Sequence, residues 1–433
     1  MSATVRLDPS RSCGPIRPLH GMNAGPMTKV FTYDARPLWR EAGFPHARLH
    51  DVEYPYGSGE FVDIPCIFKN FEADETLPES YNFGLTDEYI RHIVEVGSEP
   101  LFRLGVSIEH APVKRYIYPP KDYAKWARIC EHIIRHYTEG WADGFNYKID
   151  YWEIWNEADG KGNMWIGTAE EFAELYCVAA KHLKSCFPHL KIGGCGWTRA
   201  ANEFIERFFQ YITAKDERIP MDFYSWHRYF TDMDKLASGF EESVQILKKY
   251  GYEDSENVFD EWNYMGDWSD QPQYYVKLKQ HYGAAYCAAV LCYLQQKTNV
   301  AVATYFEADV VKEWCGPFEV TAMRISRARA DVGPLKPFYA FKYFNELYKL
   351  GPAVDVETDA KSVYACAAFD GKKGYILAAN YEGEERDVNF DLGDGLKITG
   401  IRLTDIDNTD TPLPAANTVK MKDHSFVLVE FEA

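Results

Sequence analysis

The chain has 433 residues, 46% hydrophobic and 26% charged, enough apolar side chains for a large buried core. Its 65 acidic and 47 basic residues leave a net charge of −18, a field that repels phosphate backbones and anionic lipid, so neither nucleic acid nor a membrane surface is an expected partner. No run approaches the roughly 20 apolar residues that a bilayer-spanning helix needs. The opening segment MSATVRLDPSRSCG lacks the apolar stretch of a secretory leader. The expected location is therefore cytoplasmic, or secreted if a leader was removed. Ten cysteines, scattered without a C-x-x-C pair, speak for reduced thiols rather than a disulfide scaffold or structural zinc.

In chain order, ATVRLD has strand character. From 15 to 335, short apolar runs then alternate with stretches of helical periodicity, the pattern of βα units. Eight strands are expected at 19–24, 46–51, 101–108, 151–157, 192–197, 221–229, 257–262 and 302–308. Between them, 86–97, 124–137, 169–183, 201–212, 243–250 and 274–295 carry apolar residues at i, i+3 and i+4 and read as helices, the last broken near Gly283. Thr168 followed by Glu171 forms a capping box. From 340 to 433 the polarity alternates in short segments such as GYILAAN and FVLVEFE, separated by turns rich in Gly, Asp and Asn. The expected fold is α/β: a (β/α)8 TIM barrel over 15–335 with a C-terminal antiparallel β-sandwich domain over 340–433, to which strand 1–14 is a candidate addition. A doubly wound sheet is the alternative, but HGMNAGPM lacks the glycine spacing its first turn requires.

Charged residues at the C-terminal ends of barrel strands face the catalytic mouth. Glu157 ends the fourth expected strand and Glu261 the seventh, both within aromatic sequence, YWEIWNE and VFDEWN. Taken singly, either could be one more surface acid among 65. As a pair on opposite strands they suit glycosidic cleavage, which needs a protonated acid at the leaving oxygen and a second carboxylate at the anomeric carbon. Glu153 lies a layer deeper, where a salt bridge is its expected role. Asp260 is expected to point away from the lumen if Glu261 points inward.

Several motifs fall in order on the expected strands: Ala47-Arg48-Leu49-His50, Trp152-Glu153-Ile154-Trp155-Asn156-Glu157, Asp222 to Tyr229 (DFYSWHRY), Asp260-Glu261-Trp262-Asn263 and Lys336 to Phe341 (KPFYAF). In these the chain resembles glycoside hydrolase family 39, which includes β-xylosidases and α-L-iduronidases and belongs to the clan of Asn-Glu retaining glycosidases. It departs from that pattern in having Ala158-Asp159-Gly160 where members carry proline after the acid/base, and Tyr305 where they carry tryptophan on strand eight.

Chemistry and resemblance together imply a double displacement, with Glu157 as general acid/base and Glu261 as nucleophile. Asn156 is expected at the sugar 2-hydroxyl, and His227 and Tyr229 at Glu261 or the sugar. Arg48 is expected beneath the nucleophile, His50 at a non-reducing-end hydroxyl, and Trp155, Trp262 and Tyr305 as platforms or walls, with simple core packing as the alternative. The expected partner is an oligosaccharide or other glycoside, cut from its non-reducing end as by a β-xylosidase. The segment 52–59 would wall the mouth, and the loop 109–112 would line the pocket. An arabinoside, glucoside or uronide is the alternative substrate, a uronate meeting Arg48, Arg103 or Arg228. No metal or organic cofactor is required. The second domain is expected to buttress the barrel or to contribute to contacts in a homo-oligomer. Two rivals are a non-catalytic carbohydrate-binding protein on a degenerate barrel and a metal-dependent enzyme using His20, His50, His110 and His227.

Overall fold

Segments such as Tyr151–Ile154 and Phe223–His227 are buried at every residue, the condition of a parallel strand covered by helices. In the computed structural model, which describes residues 2–26, 28–29, 33–52, 61–108, 112–160, 162–320 and 332–433, eight such strands close into a parallel barrel. They are Gly21–Asn23, His46–Arg48, Glu99–Leu104, Tyr151–Ile154, Lys191–Trp197, Phe223–His227, Glu256–Glu261 and Val300–Tyr305, with the last paired to the first. Each falls on an expected strand, but the fourth stops at Ile154, three residues short of Glu157.

The connecting helices are α1 (Arg36–Ala42), α2 (Ile64–Ile67), α3 (Gly84–Glu95), α4 (Tyr123–Thr138), α5 (Ala169–Cys186), α6 (Glu203–Thr213), α7 (Met233–Lys249), α8 (Gln271–Lys277) and α9 (His281–Lys297). Helix α5 starts with the expected capping box, in which Thr168 and Glu171 satisfy each other's backbone donors; such a cap is worth about 1 kcal/mol. Helix α7 begins ten residues earlier than its apolar rhythm suggests, because Asp232 caps two of its free N–H groups. The break between α8 and α9 falls just before Gly283, where a Cβ would lie 2.2 Å from the Leu278 carbonyl oxygen.

Inside the barrel, Leu101, Tyr151, Phe223, Val258 and Val302 form an apolar floor. Above it the lumen turns polar, with Arg48, Glu153, Ser225 and Asp260 all buried. After the barrel, α10 (Lys336–Leu350) packs beside α9, and both press on a nine-stranded sheet built mostly from residues beyond 350. Helix α9 is buried almost all round because one side meets the barrel and the other meets the sheet, where Cys292 donates to the Leu377 carbonyl. The other face of the sheet encloses its own core, including Val5, Ile376, Val388 and Val429. One strand pair departs from the antiparallel pattern. Ser2–Pro15 lies between Pro352–Thr358 and Arg386–Asp391, and it runs parallel to the latter. Among the described residues no helix is long and apolar enough to cross a membrane.

Candidate active site

Regular alternation directs Val258 and Asp260 into the barrel, while Phe259 packs outward on Trp226 and Phe240. This overturns the expectation that Asp260 points away. Glu261 nevertheless reaches the lumen as well, because the pairing slips at this point: Phe259 faces Trp226, yet Glu261 faces His227. The extra residue forms a bulge that re-aims the strand end and delivers two successive carboxylates inward. Alternation does not place Glu157 either. Trp155 and Glu157 have φ of 70° and 45°, left-handed conformations that side chains adopt at a cost of order 1–3 kcal/mol. Trp155 is thereby turned outward and Asn156 and Glu157 toward the mouth.

One guanidinium organises the floor of the site. Arg48 donates through Nη1 to Glu261 Oε1 at 2.7 Å and to Asn23 Oδ1 at 3.0 Å, and through Nε to Glu153 Oε2 at 2.8 Å. Its Nη2 reaches Asn156 Oδ1, and its Nε lies 3.1 Å from Asp260. The neighbouring Gly196 has to be glycine, since a Cβ there would fall 2.8 Å from Arg48 Nη2 and 2.9 Å from Asn156 Oδ1. Burial works against the Arg48 charge, but Glu153, Asp260 and Glu261 outweigh it and hold the proton on more firmly than usual. Burial and the adjoining Glu153 push Asp260 well above the carboxylate range. Glu153 itself is held below its ordinary value, as Arg48, Asp260 and Ser225 overcome its burial. Of this pair Asp260 therefore favours the proton and Glu153 the charge, which matches the salt bridge expected for Glu153.

Burial, reinforced by Asp159, raises the Glu157 carboxyl to about 8, so it is protonated at neutral pH. Burial raises Glu261 too, opposed by Arg48 and the hydrogen bond from Tyr229. Tyr229 donates its hydroxyl to Glu261 Oε2 at 2.7 Å. His227 bridges the pair, with Nδ1 2.8 Å from Glu157 Oε1 and 3.3 Å from Glu261 Oε2. Burial lowers its imidazole to about 4, which keeps the ring neutral. Oxygens of Glu157 and Glu261 come within 4.8 Å of each other. That spacing suits two carboxyl groups flanking one glycosidic bond, one giving a proton and the other attacking carbon.

His50 sits at the same mouth, Nε2 3.7 Å from Glu261 Oε1, with its Nδ1 unpartnered. Asn156 Nδ2 is also buried without a partner, a donor left over for a ligand. The three rings do not reach the lumen. Trp155 packs against Trp126 of α4 and Phe172 of α5, Trp262 against Tyr286 of α9, and Tyr305 against Phe341 of α10. They are core, with the Tyr305 hydroxyl donating to Asn263 Oδ1 at 2.6 Å. The aromatic wall is instead made by Phe306, Trp314 and Trp268 around Tyr229, none of which the sequence reading selected. Phe306 was within reach of it, being one residue beyond Tyr305 and so on the opposite face of the strand. A cavity of about 490 Å³ opens beside Glu157 and Tyr229, bordered by Arg199, Phe230 and Trp268.

Of the three arginines expected at a uronate, Arg48 is taken by carboxylates, Arg228 pairs with Glu242, and Arg103 pairs with Asp63 through Nη2 while its Nε and Nη1 are buried without partners. Of the four histidines of the metal rival, His50 and His227 both approach Glu261. His20 lies against Phe344 and Tyr348 of α10, and His110 is outside the described residues, as are 109 and 111 of its loop and 53–60 of the segment expected to wall the mouth. Among the described residues, Glu157, His227 and Glu261 form one group with metal-ligand spacing, and Glu131, His182 and Cys186 form another on the barrel exterior.

Comparison with known proteins finds relatives among the β-xylosidases. A β-xylosidase of Caldicellulosiruptor saccharolyticus is 28% identical over 218 residues, covering 48% of this chain and 41% of the relative. A β-xylosidase of Geobacillus stearothermophilus is 28% identical over 187 residues, covering 41% of this chain and 36% of the relative. The chain thus matches less than half the length of either. A solved glucosidase from Croceicoccus marinus superimposes with a TM-score of 0.78 at 22% identity, covering 100% of this chain and 99% of that one, a likeness of fold. The profile of Glycosyl hydrolases family 39 matches residues 3–301, well over half of the chain, which therefore belongs to that family.

Proposed function

We propose that this protein is a retaining O-glycoside hydrolase that removes β-xylosyl units from the non-reducing end of short glycosides. The observation carrying the proposal is the asymmetric pair: Glu157 protonated up to about pH 8 and within 4.8 Å of Glu261, which is held by Arg48 and Tyr229. Glu157 passes its proton to the leaving oxygen as Glu261 attacks the anomeric carbon, forming a glycosyl ester. Water then gives its proton to Glu157 and displaces Glu261 with net retention. The close spacing favours this route over inversion, which needs carboxyls about 6.5–9.5 Å apart to admit a water. The free Asn156 Nδ2 is suited to the 2-hydroxyl, where a hydrogen bond strengthens as oxocarbenium character develops. The name of both curated relatives supports the xylosidase assignment. We read the C-terminal sheet as a buttress for α9 and α10.

The test is the anomer released first from an aryl β-xyloside, followed by NMR, together with azide rescue of Glu157→Gln. A β-anomer and a retained glycosyl azide are expected. An α-anomer would sink the retaining route, and an inverted azide would exchange the roles of the two glutamates. Across a panel of aryl glycosides, the β-xyloside should lead the β-glucoside by about 10–200-fold, the range apolar walls achieve against one extra group. A smaller lead would remove the xylosidase label and leave the mechanism standing.

A further inference from the structure

Just past the eighth barrel strand, Glu307 is fully buried, and neither of its carboxyl oxygens has a hydrogen-bond partner. A buried carboxyl with no partner is among the costliest arrangements a fold can keep, and one that persists asks for a ligand. Its place supplies the reason. The preceding Phe306 faces the His50 ring at 6.2 Å, and Ala308 donates its N–H to the Asn23 carbonyl, anchoring the segment above the first strand. Lys312 Nζ lies 3.9 Å from Glu307 Oε1 and donates to the carbonyl of Asp51, next to His50. The charged groups that act on Glu307 are Lys312, Asp309, Asp51 and Glu261. Glu307 thus lies buried between the ends of strands eight and two, near enough to Glu261 to feel its charge and away from Asn156 on strand four. The unpartnered Nδ1 of His50 is in the same quarter.

Resting on the reading given above, we infer that Glu307 is a specificity-determining residue, binding the ring hydroxyls most remote from the reacting carbon. In a pyranoside whose anomeric carbon meets Glu261 and whose 2-hydroxyl meets Asn156, those are the hydroxyls on carbons 3 and 4. Burial raises Glu307 above its ordinary value, Lys312 opposing and Asp309 and Asp51 adding to it, which favours the protonated form. The carboxyl then offers one O–H and one C=O, which suits two adjacent hydroxyls that each donate and accept. The ligand class is a terminal sugar with both positions unsubstituted. A glycone alkylated or branched at either would leave the carboxyl buried without a partner and be rejected.

The experiment is calorimetric titration of the full chain with a xylose-configured iminosugar, and with counterparts lacking the 3- or the 4-hydroxyl. Loss of a hydroxyl bonded to Glu307 should weaken binding to the wild type by roughly 5–150-fold, the cost of leaving a buried polar group without its partner. In Glu307→Ala the parent compound should bind more weakly, whereas Glu307→Gln, which keeps one donor and one acceptor, should largely retain it, and the deoxy penalty in Glu307→Ala should shrink to within about threefold, because hydroxyl and carboxyl act as one unit. An undiminished penalty in Glu307→Ala overturns the inference. So does a wild type indifferent to both deoxy compounds, a result that needs no variant to fold. Turnover plays no part in this readout. A chain that binds the iminosugar yet cleaves no glycoside refutes the hydrolase reading alone, whereas a working hydrolase indifferent to Glu307 refutes this inference alone.

Discussion

Replacing Glu157 by Gln separates what this carboxyl does for catalysis from what it costs the fold. A group that releases its proton near 4.5 in the unfolded chain and near 8 in the folded one contributes a stability that is complete below pH 4.5 and lost as pH rises through 8. At 1.36 kcal/mol per pH unit the whole change is about 5 kcal/mol. One fifth of the side chain is exposed to solvent, which screens it and brings the expected figure to about 3–5 kcal/mol. Glutamine keeps the shape and has no proton to lose, so the variant should gain on the wild type across this range. With about 2.1 cal/mol/K of unfolding entropy per residue over 433 residues, the gap in Tm should widen by about 3–5 °C between pH 4.5 and 9. Scanning calorimetry of both proteins at several pH values measures it. Over the same range kcat/KM of the wild type for a substrate with a poor leaving group should fall as pH passes 8, and an activated aryl glycoside should be spared in the variant. A Tm gap independent of pH would show that Glu157 is not held protonated, and would remove it as the acid.

Three more outcomes follow from the same network. Asp260→Asn should cost less than about 1.5 kcal/mol in urea unfolding at pH 7, because burial beside Glu153 favours the neutral form of Asp260. Glu153→Gln should cost about 3–5 kcal/mol, since it strips a partner from the buried Arg48; equal costs would contradict the assigned protonation. Tyr229→Phe removes the 2.7 Å bond to Glu261 and should lower kcat/KM by about 10–150-fold without moving Tm by more than a few degrees, a loss confined to stability being the contrary result. Prolonged chelator treatment should leave turnover unchanged; activity abolished and then restored by a divalent ion would transfer the chemistry to a metal at Glu157, His227 and Glu261.

All eight barrel strands were legible in the sequence, because a strand buried on both faces shows as a short apolar run and the helices between show their 3.6-residue rhythm. The two glutamates were legible too, since carboxylates at the ends of aromatic strands have no ordinary place in a core. Short α1 and α2 were not found, being too brief for a periodic signal. Side-chain direction at the strand ends was decided only by tertiary structure. Alternation predicted that Asp260 and Glu261 would face opposite ways, but the slip in pairing with the strand of His227 turned both inward. It also grouped Trp155 with Glu157, until two left-handed residues sent the indole into the helical layer and the carboxyl to the mouth. Residue order is local, whereas a bulge is set by the neighbouring strand. The proton on Asp260, the ion pair of Glu153 and the unpartnered carboxyl of Glu307 depend on groups brought together from distant parts of the chain. Only closure of the barrel gives those groups their common dielectric and their distances.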